Sequence, residues 1–177
     1  MSDLVKIAKT EISNSNKLCV IAGLNVLEDD QLTFEVAERL KKITEAQGNS
    51  FIFKASFDKA NRSSVDSYRG PGLKKGLEIF RELKKSDYQL ITDIHEISQV
   101  EQISEVVDII QIPAFLCRQT DLIKEACQSG KPLNIKKGQF LSPDQMKNII
   151  EKCSNFGNDQ IMLCERGTSF GLSLIHI

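Results

Sequence analysis

Residues 50–64 carry the sequence SFIFKASFDKANRSS, which joins an apolar run to a dense group of cations and hydrogen-bond donors. The run 50–53 lacks the alternation of a half-exposed strand and is typical of a parallel strand that is buried on both faces. Two lysines, an arginine, an asparagine and three serines follow it within eleven residues. A turn does not require so many cations, whereas binding an anionic substrate with several oxygens does require them. The segment therefore predicts a buried strand that ends in an anion-binding loop.

The composition narrows the class of protein. The chain has 177 residues, 41% of them hydrophobic, and a formal net charge of -1, which suits a folded domain and excludes global disorder. A protein of this charge is not a general binder of nucleic acid or anionic membranes, so any anion site must be local. The N-terminus lacks the apolar core of a signal peptide, and no apolar stretch approaches the roughly 20 residues of a membrane span. We expect a cytoplasmic protein without a nucleic-acid or membrane partner.

The five cysteines are widely spaced and form no C-x-x-C pair. We interpret them as reduced, mostly buried thiols, as is usual in the cytoplasm. A catalytic cysteine remains an alternative, although no histidine is near any of them in sequence. The residues are Cys19, Cys117, Cys127, Cys153 and Cys164.

Short apolar runs alternate with helical patterns along the chain. Strands are predicted at 17–22, 50–55, 89–92, 106–111, 132–136 and 160–164. Amphipathic helices are predicted at 33–46, 73–84 and 121–128, with another after 142 and a weaker one at 99–106. Repeated βα units without an antiparallel block indicate the α/β class.

Two α/β architectures fit this pattern. One is an open doubly wound sheet, and the other is a (β/α)8 TIM barrel. Successive predicted strand ends lie about 28 residues apart, close to the ~31 residues per unit of a barrel of roughly 250 residues. About six units are present, so the barrel interpretation implies an incomplete barrel that forms one domain.

In either architecture, sites gather at the carboxyl ends of the strands. Cations follow three of the predicted strands, and in a barrel those strand ends meet at one mouth. We expect a site for a phosphate plus a carboxylate, or for two phosphorylated ligands. The competing interpretation is that lysines follow strands simply because loops are exposed. The cations are Lys54, Lys59, Arg62, Lys136 and Arg166.

The run Asp93-Ile94-His95-Glu96 contains possible metal ligands. Adjacent residues on an extended chain point to alternate sides and seldom all bind one ion. We therefore expect His95 to line the site or to donate a hydrogen bond, with metal ligation as the alternative.

Several motifs resemble one enzyme family, 3-deoxy-D-manno-octulosonate 8-phosphate synthase, in its metal-independent class. The similarity runs from about residue 18 to residue 171, in the family's motif order. The motifs are KASFDKANRSS (54–64), SYRGPG (67–72), TDIHE (92–96), QIPAFL (111–116), RQTD (118–121) and CERG (164–167).

The resemblance implies a TIM barrel that condenses phosphoenolpyruvate with D-arabinose 5-phosphate and water and releases phosphate. It implies a cytoplasmic homotetramer in the pathway to lipopolysaccharide. Roles in catalysis are implied for Asn25, Lys54, Lys59, Lys136 and Arg166. Substrate contacts are implied for Ser56, Asn61, Arg62, Ser63, Asp93, His95, Gln111, Pro113, Ala114, Phe115, Arg118, Gln119 and Thr120, the last three in a loop that reaches a neighbouring subunit's site.

The residue at position 25 distinguishes two classes within the family that the chain resembles. The metal-dependent class has cysteine there and the metal-independent class has asparagine, so Asn25 implies that no metal and no other cofactor is used.

The last residues depart from the family pattern. We expect 1–171 to be the N-terminal part of a single synthase domain and 172–177 to be a tail from truncation or a shifted reading frame. The family's remaining units supply a histidine, a glutamate, an aspartate and a substrate loop, so we expect the 177-residue chain alone to be inactive. Three alternatives are a sibling synthase with a seven-carbon product, a Schiff-base aldolase that uses Lys136, and a non-catalytic anion-binding fragment.

Overall fold

The protein is described by a computed structural model over residues 4–169. Eight strands are present in this part of the chain. Two form an N-terminal hairpin, β1 (Val5–Ile7) and β2 (Thr10–Ile12). The other six are β3 (Cys19–Gly23), β4 (Ser50–Lys54), β5 (Leu90–Asp93), β6 (Ile109–Ile112), β7 (Leu133–Lys136) and β8 (Ile161–Cys164).

Helices connect the six later strands. They are α1 (Asp30–Ala46), α2 (Gly72–Lys85), α3 (Val100–Ser104), α4 (Thr120–Gln128) and α5 (Met146–Asn155). Short 3-10 turns precede α3 and α5, at Ile97–Gln99 and Pro143–Gln145, and another, Ala114–Leu116, follows β6.

The six strands form one parallel sheet in which every strand pairs with its neighbours in sequence, in the order β3-β4-β5-β6-β7-β8. A doubly wound sheet reverses its strand order part of the way along the chain, so the open alternative is excluded. The sheet curls into part of a barrel with the helices outside, which confirms the predicted incomplete (β/α)8 architecture. Within residues 4–169, β3 and β8 are the two edges of this sheet.

Alternation along the strands separates two cores. Phe51 and Phe53 of β4 point outward and pack in the large cluster beneath the helices. Ile52, between them, points inward with Ile91 and Ile109 of the next two strands. The inner residues of successive strands thus share the barrel interior, as expected for a parallel barrel.

The N-terminal hairpin was missed by the sequence interpretation, which predicted no antiparallel block. Val5 and Ile7 of β1 are buried against the inward isoleucines Ile52, Ile91 and Ile109, so the hairpin covers the lower end of the interior. Its strands have three residues each, which is too short for periodicity to be recognised, and long-range packing stabilises them.

The first helix begins earlier than the predicted 33–46. The Asp29 side chain accepts a hydrogen bond from the backbone N–H of Leu32 at 2.8 Å and thereby caps α1 one turn upstream. The third helix is shorter than the predicted 99–106, because Gln99 belongs to a 3-10 turn and the helix ends at Ser104.

Glycine at position 23 allows two strand ends to approach closely. A Cβ atom built on Gly23 would lie 2.0 Å from the carbonyl oxygen of Lys54, which no side chain tolerates. The carboxyl ends of β3 and β4 are therefore in direct backbone contact where the site begins.

Among the described residues, no helix is long and apolar enough to cross a membrane.

Candidate active site

A cavity of about 410 Å³ opens at the carboxyl ends of the strands. It contains three of the cations singled out from the sequence, together with the metal-ligand candidates and the turn after β6. Its lining residues are Lys59, Ala60, Asn61, Asp93, His95, Glu96, Gln111, Pro113, Ala114, Phe115, Leu116, Lys136 and Arg166.

The strands place these side chains by simple alternation. Asp93 and Gln111 each come two residues after an inward isoleucine. They therefore point into the same interior, nearer to the carboxyl ends of the strands. Lys54 follows Ile52 in the same way. It lines a neighbouring cavity of about 670 Å³ inside the barrel, and that cavity shares Gln111 and Lys136 with the first. The two cavities therefore adjoin at these two side chains, and Lys54, Lys59, Lys136 and Arg166 lie around them.

Lys59 is held against the wall of the cavity. Its Nζ donates to Ser56 Oγ at 2.8 Å and lies 3.8 Å from Asp93 Oδ2. Burial lowers the pKa of Lys59, Asp93 opposes that change, and Lys136 reinforces it. The predicted binding residue Ser56 is fully buried and orients a cation in this structure.

Asp93 is the buried negative group of the site. Burial raises the pKa of its carboxyl, but nearby groups outweigh burial and hold this pKa below its usual range. His95 Nε2 lies 3.7 Å from Asp93 Oδ2, which is too long for a hydrogen bond, so we ascribe the lowering mainly to Lys54 and Lys59.

Two polar atoms of this pair are buried without a protein hydrogen-bond partner within residues 4–169, namely Asp93 Oδ1 and His95 Nδ1. Buried polar groups are ordinarily satisfied, so such atoms indicate contact with water or a ligand. The His95 ring packs edge-on against Phe57, with centroids 5.8 Å apart, which fixes its position at the cavity wall.

Lys54 is the most strongly perturbed cation. Burial lowers the pKa of its ammonium to about 8, with a contribution from Lys59 and Lys136, while Asp93 opposes the change. The free site thus holds several cations against mutual repulsion and loss of solvent. A bound anion with two or three charges would relieve both costs.

The loop that follows β4 leaves the cavity after Asn61. Arg62 and Ser63 are exposed and outside the cavity lining, and the Nε atom of Arg62 donates to the Tyr68 carbonyl at 3.1 Å. The ends of the loop are joined by Arg69, whose guanidinium binds both oxygens of Asp58 at 2.8 and 2.5 Å. The loop is folded on itself, and Arg62 is exposed outside the cavity lining.

Four candidates lie away from the cavity. Asn25 is exposed on the loop after β3 and lines none of the cavities described. Arg118, Gln119 and Thr120 are exposed at the start of α4, where Lys152 donates to the Thr120 hydroxyl at 2.8 Å. Their implied roles stay predictions.

Asp93 and His95 are the metal-ligand candidates at this cavity. No group of three or more His, Cys, Asp or Glu side chains able to hold an ion occurs in the described part of the chain. The expectation of metal independence continues to rest on the resemblance at Asn25.

Two residues near the site were missed by sequence reasoning. Asn134 Nδ2 donates to Gln111 Oε1 at 3.3 Å and orients that amide beneath the cavity. Lys137, next to Lys136, is almost fully buried and bonds to backbone carbonyls. Alternation predicts opposite directions for adjacent lysines at the end of a strand, so Lys137 could have been separated from Lys136. Two of its partners, Glu165 and Gly167, are distant in sequence and were not predictable from it.

An incomplete parallel barrel with a cavity lined by cations and a buried carboxylate at the carboxyl ends of its strands defines the class of protein as a TIM-barrel domain. Comparison with known families is specific: the DAHP synthetase I family matches residues 4–174. The chain belongs to this family.

Individual relatives are also similar. A protein named 2-dehydro-3-deoxyphosphooctonate aldolase from Hahella chejuensis is 54% identical over 168 residues, which cover 94% of this chain and 60% of that protein. Proteins of the same name from Haemophilus influenzae and Bdellovibrio bacteriovorus are 52% and 53% identical, each over 95% of this chain and 60% and 59% of their own lengths. The chain thus spans about 60% of the length of these curated relatives.

Proposed function

We propose that this protein is a transferase that condenses phosphoenolpyruvate with D-arabinose 5-phosphate and water, giving 3-deoxy-D-manno-octulosonate 8-phosphate and phosphate. The observation that carries the proposal is the convergence of Lys54, Lys59, Lys136 and Arg166 on two adjoining cavities at the barrel mouth. The name of its relatives, 2-dehydro-3-deoxyphosphooctonate aldolase, supports an eight-carbon deoxy sugar acid phosphate as the product.

The cations fit phosphoenolpyruvate, which carries close to three negative charges on a carboxylate and a phosphate. Ordered ammonium and guanidinium groups bind such an anion, orient it and offset charge in the transition state. Gln111 and the turn at Ala114 supply neutral contacts at the same wall. Asp93 keeps the empty site from accumulating positive charge.

The reaction balances as a condensation followed by loss of phosphate. The enol carbon C3 attacks the sugar aldehyde and forms a carbon–carbon bond, and the aldehyde oxygen takes up a proton. Water adds at C2 and gives up a proton. Cleavage of the carbon–oxygen bond at C2 then expels phosphate, the C2 hydroxyl gives its proton to the departing phosphate, and the ketone remains. The site residues bind and orient the reactants for these steps.

The sugar phosphate would lie at the outer part of the site. Asn61 lines the cavity, and Arg62 and Ser63 follow it on the exposed loop. A guanidinium is well suited to bind a terminal phosphate. We infer that the acceptor approaches phosphoenolpyruvate from this side.

The wider setting is part of the proposal. We propose a cytoplasmic enzyme in the pathway to lipopolysaccharide, a homotetramer in which the exposed segment 118–120 reaches a neighbouring subunit's site. Asn25 marks the metal-independent class, and no cofactor is used. If activity disappeared in chelator and returned with a divalent ion, the proposed metal independence would be wrong.

One test compares acceptors. Phosphate release from phosphoenolpyruvate is measured with arabinose 5-phosphate and with erythrose 4-phosphate, for the 177-residue chain and for a chain extended by the corresponding C-terminal segment of a curated relative. We expect the extended chain to prefer arabinose 5-phosphate and the 177-residue chain to show no turnover. Normal turnover by the 177-residue chain would contradict its predicted inactivity, and no release with either acceptor would reject the proposed reaction.

A second candidate is a sibling synthase with a seven-carbon product. The name of the family to which the chain belongs, DAHP synthetase I, favours it. A preference for erythrose 4-phosphate in the same experiment would support this candidate. Borohydride trapping that labels Lys136 would instead indicate a Schiff-base aldolase.

A further inference from the structure

A buried lysine lies beside the site without lining it. The Lys137 side chain is only 2% exposed and is one of the largest fully buried side chains in the described part of the chain. It directly follows Lys136 but is absent from both cavity linings. A lysine is rarely buried to this extent unless its charge is compensated.

Backbone oxygens from two loops surround the ammonium group. Lys137 Nζ donates to the carbonyl oxygen of Gly167 at 2.7 Å, of Leu141 at 3.1 Å and of Gly138 at 3.3 Å. An ammonium has three donors, and these three carbonyls match that number. The Glu165 carboxylate, 3.4 Å away, supplies the opposite charge. One side chain therefore ties the loop after β7 to the segment after β8.

The segment after β8 has few other ties. Ser169 N donates to the Gln139 carbonyl at 2.9 Å, and Glu165 Oε1 accepts from the backbone N–H groups of Arg166 and Gly167 at 2.8 and 2.6 Å. The last two bonds are internal to the segment, so they shape it without attaching it. Arg166 lies between two residues that contact Lys137, and its side chain lines the cavity.

We propose that Lys137 is a positioning residue that places Arg166 at the anion cavity by holding the segment 165–169 against the loop 138–141. The ligand in this inference is the phosphoenolpyruvate of the proposed function, on which it rests. Lys137 touches no substrate in this role. The two adjacent lysines thus have different roles. Lys136 lines the anion cavity, and Lys137 holds Arg166, which follows the neighbouring strand β8, in position.

The primary experiment is a double-mutant cycle on phosphoenolpyruvate affinity, measured by calorimetry. Lys137→Met removes the donors and keeps the length of the side chain, and Arg166→Ala removes the cation. Lys137→Met alone should weaken binding by about tenfold to a hundredfold. On the Arg166→Ala background it should cause almost no further loss, because the side chain that it positions is gone. An equal loss on both backgrounds, or an unchanged affinity in the single variant, would overturn the proposal.

The matched control is Lys147→Met on α5. That lysine is 74% exposed and, within residues 4–169, pairs with Asp144 three residues away, so phosphoenolpyruvate affinity should be unchanged. A comparable loss in this control would show that the effect of Lys137→Met is not specific to the buried position.

Hydrogen exchange separates this inference from the proposed function. Amide exchange in 165–169 should accelerate at least tenfold in Lys137→Met, while the strand β5 stays protected. If the unaltered chain does not bind phosphoenolpyruvate, exchange alone decides the role of Lys137, and the acceptor comparison in the extended chain decides the proposed function. Unchanged exchange in 165–169 would reject that role. If Lys137→Met does not fold, Lys137→Gln, which retains a donor, takes its place with the same expected directions.

Discussion

Lys59 Nζ lies 3.8 Å from Asp93 Oδ2, and both side chains are largely buried at the wall of the cavity. The lysine comes from the loop after β4 and the carboxylate from the end of β5, so the contact joins two consecutive βα units. Asp93 also opposes the loss of charge from Lys54. The carboxylate thus allows several ammonium groups to share one site before an anion is bound.

Asp93→Asn should reduce stability at neutral pH and change its acid dependence. The folded-state pKa of Asp93 is held below its ordinary value of 3.8, so its contribution to stability is present above about pH 4 and is lost as the pH falls further. The variant lacks that contribution, so its urea midpoint should fall less than that of the unaltered chain between pH 4 and pH 2.5. The control is Asp144→Asn, whose carboxylate is exposed. If the urea midpoints of Asp93→Asn and the unaltered chain fell in parallel with pH, Asp93 would not be the group with the lowered pKa.

Phosphoenolpyruvate affinity should decrease as the pH rises through 8. The pKa of Lys54 is lowered to about 8, so its ammonium is progressively lost above this pH in the free site, whereas an anion favours the charged form. Lys54→Met should remove this pH dependence and weaken binding by about tenfold to a hundredfold at pH 7. Calorimetry between pH 6.5 and 9 measures both. A profile unchanged in Lys54→Met would assign the titration to another group.

The same lysine should destabilise the folded chain. Its folded-state pKa lies below the ordinary 10.5, so the folded form binds fewer protons between about pH 8 and 10.5 and gains stability as the pH rises across that range. Lys54→Met should therefore raise the melting temperature at pH 7 while it weakens phosphoenolpyruvate binding. A lower melting temperature would show that the lysine contributes more by its packing than it costs by its burial.

Gln89→Ala should destabilise the fold without changing the site. The Gln89 amide donates to the Ile7 carbonyl and accepts from the Thr10 hydroxyl, both at 2.7 Å, and so attaches the hairpin to β5. Loss of two partly buried hydrogen bonds should cost about 1–3 kcal/mol in the free energy of unfolding. Phosphoenolpyruvate affinity should be retained because the hairpin covers the opposite end of the interior. Gln128→Ala, at an exposed position, is the control. An equal destabilisation in this control would show that the loss in Gln89→Ala does not come from the hydrogen bonds to the hairpin.

Asp58→Asn should weaken acceptor binding only. The bidentate contact with Arg69 closes the loop that carries Asn61 and Arg62, and this contact is exposed, so a change of about a fewfold in the KM for arabinose 5-phosphate is expected. The phosphoenolpyruvate KM should stay constant in an active, extended chain. Glu38→Gln, which breaks an exposed pair on α1, provides the comparison. A shift in the phosphoenolpyruvate KM would show that the loop serves both substrates.

Local sequence patterns were sufficient to predict the fold class and the cations that line the cavity. Uninterrupted apolar runs at barrel-like spacing indicated buried parallel strands, and the sheet has the sequential order that this implies. Cations at strand ends indicated a common mouth, and Lys59, Lys136 and Arg166 line one cavity. These inferences succeeded because alternation and strand polarity depend on only a few adjacent residues.

Other features depended on distant partners. The hairpin is stabilised by Gln89 and Gln160, far along the chain, and no local pattern predicts those hydrogen bonds. Arg62 and Ser63 belong to the same motif as Lys59, yet the fold of the loop places them outside the cavity. Sequence adjacency gave these residues a common role in anion binding, whereas loop geometry separates them.

Sequence alone thus determined which residue types stand at the end of each strand and on which face of it, because the two-residue period of an extended chain is a local property. Tertiary structure decided which of those groups meet, what their charges cost and which lysine binds a loop rather than an anion. Lys136 and Lys137 illustrate the difference, since they are adjacent and chemically identical. One faces the cavity, while the other meets carbonyls of Leu141 and Gly167 that only the packing of two loops brings together.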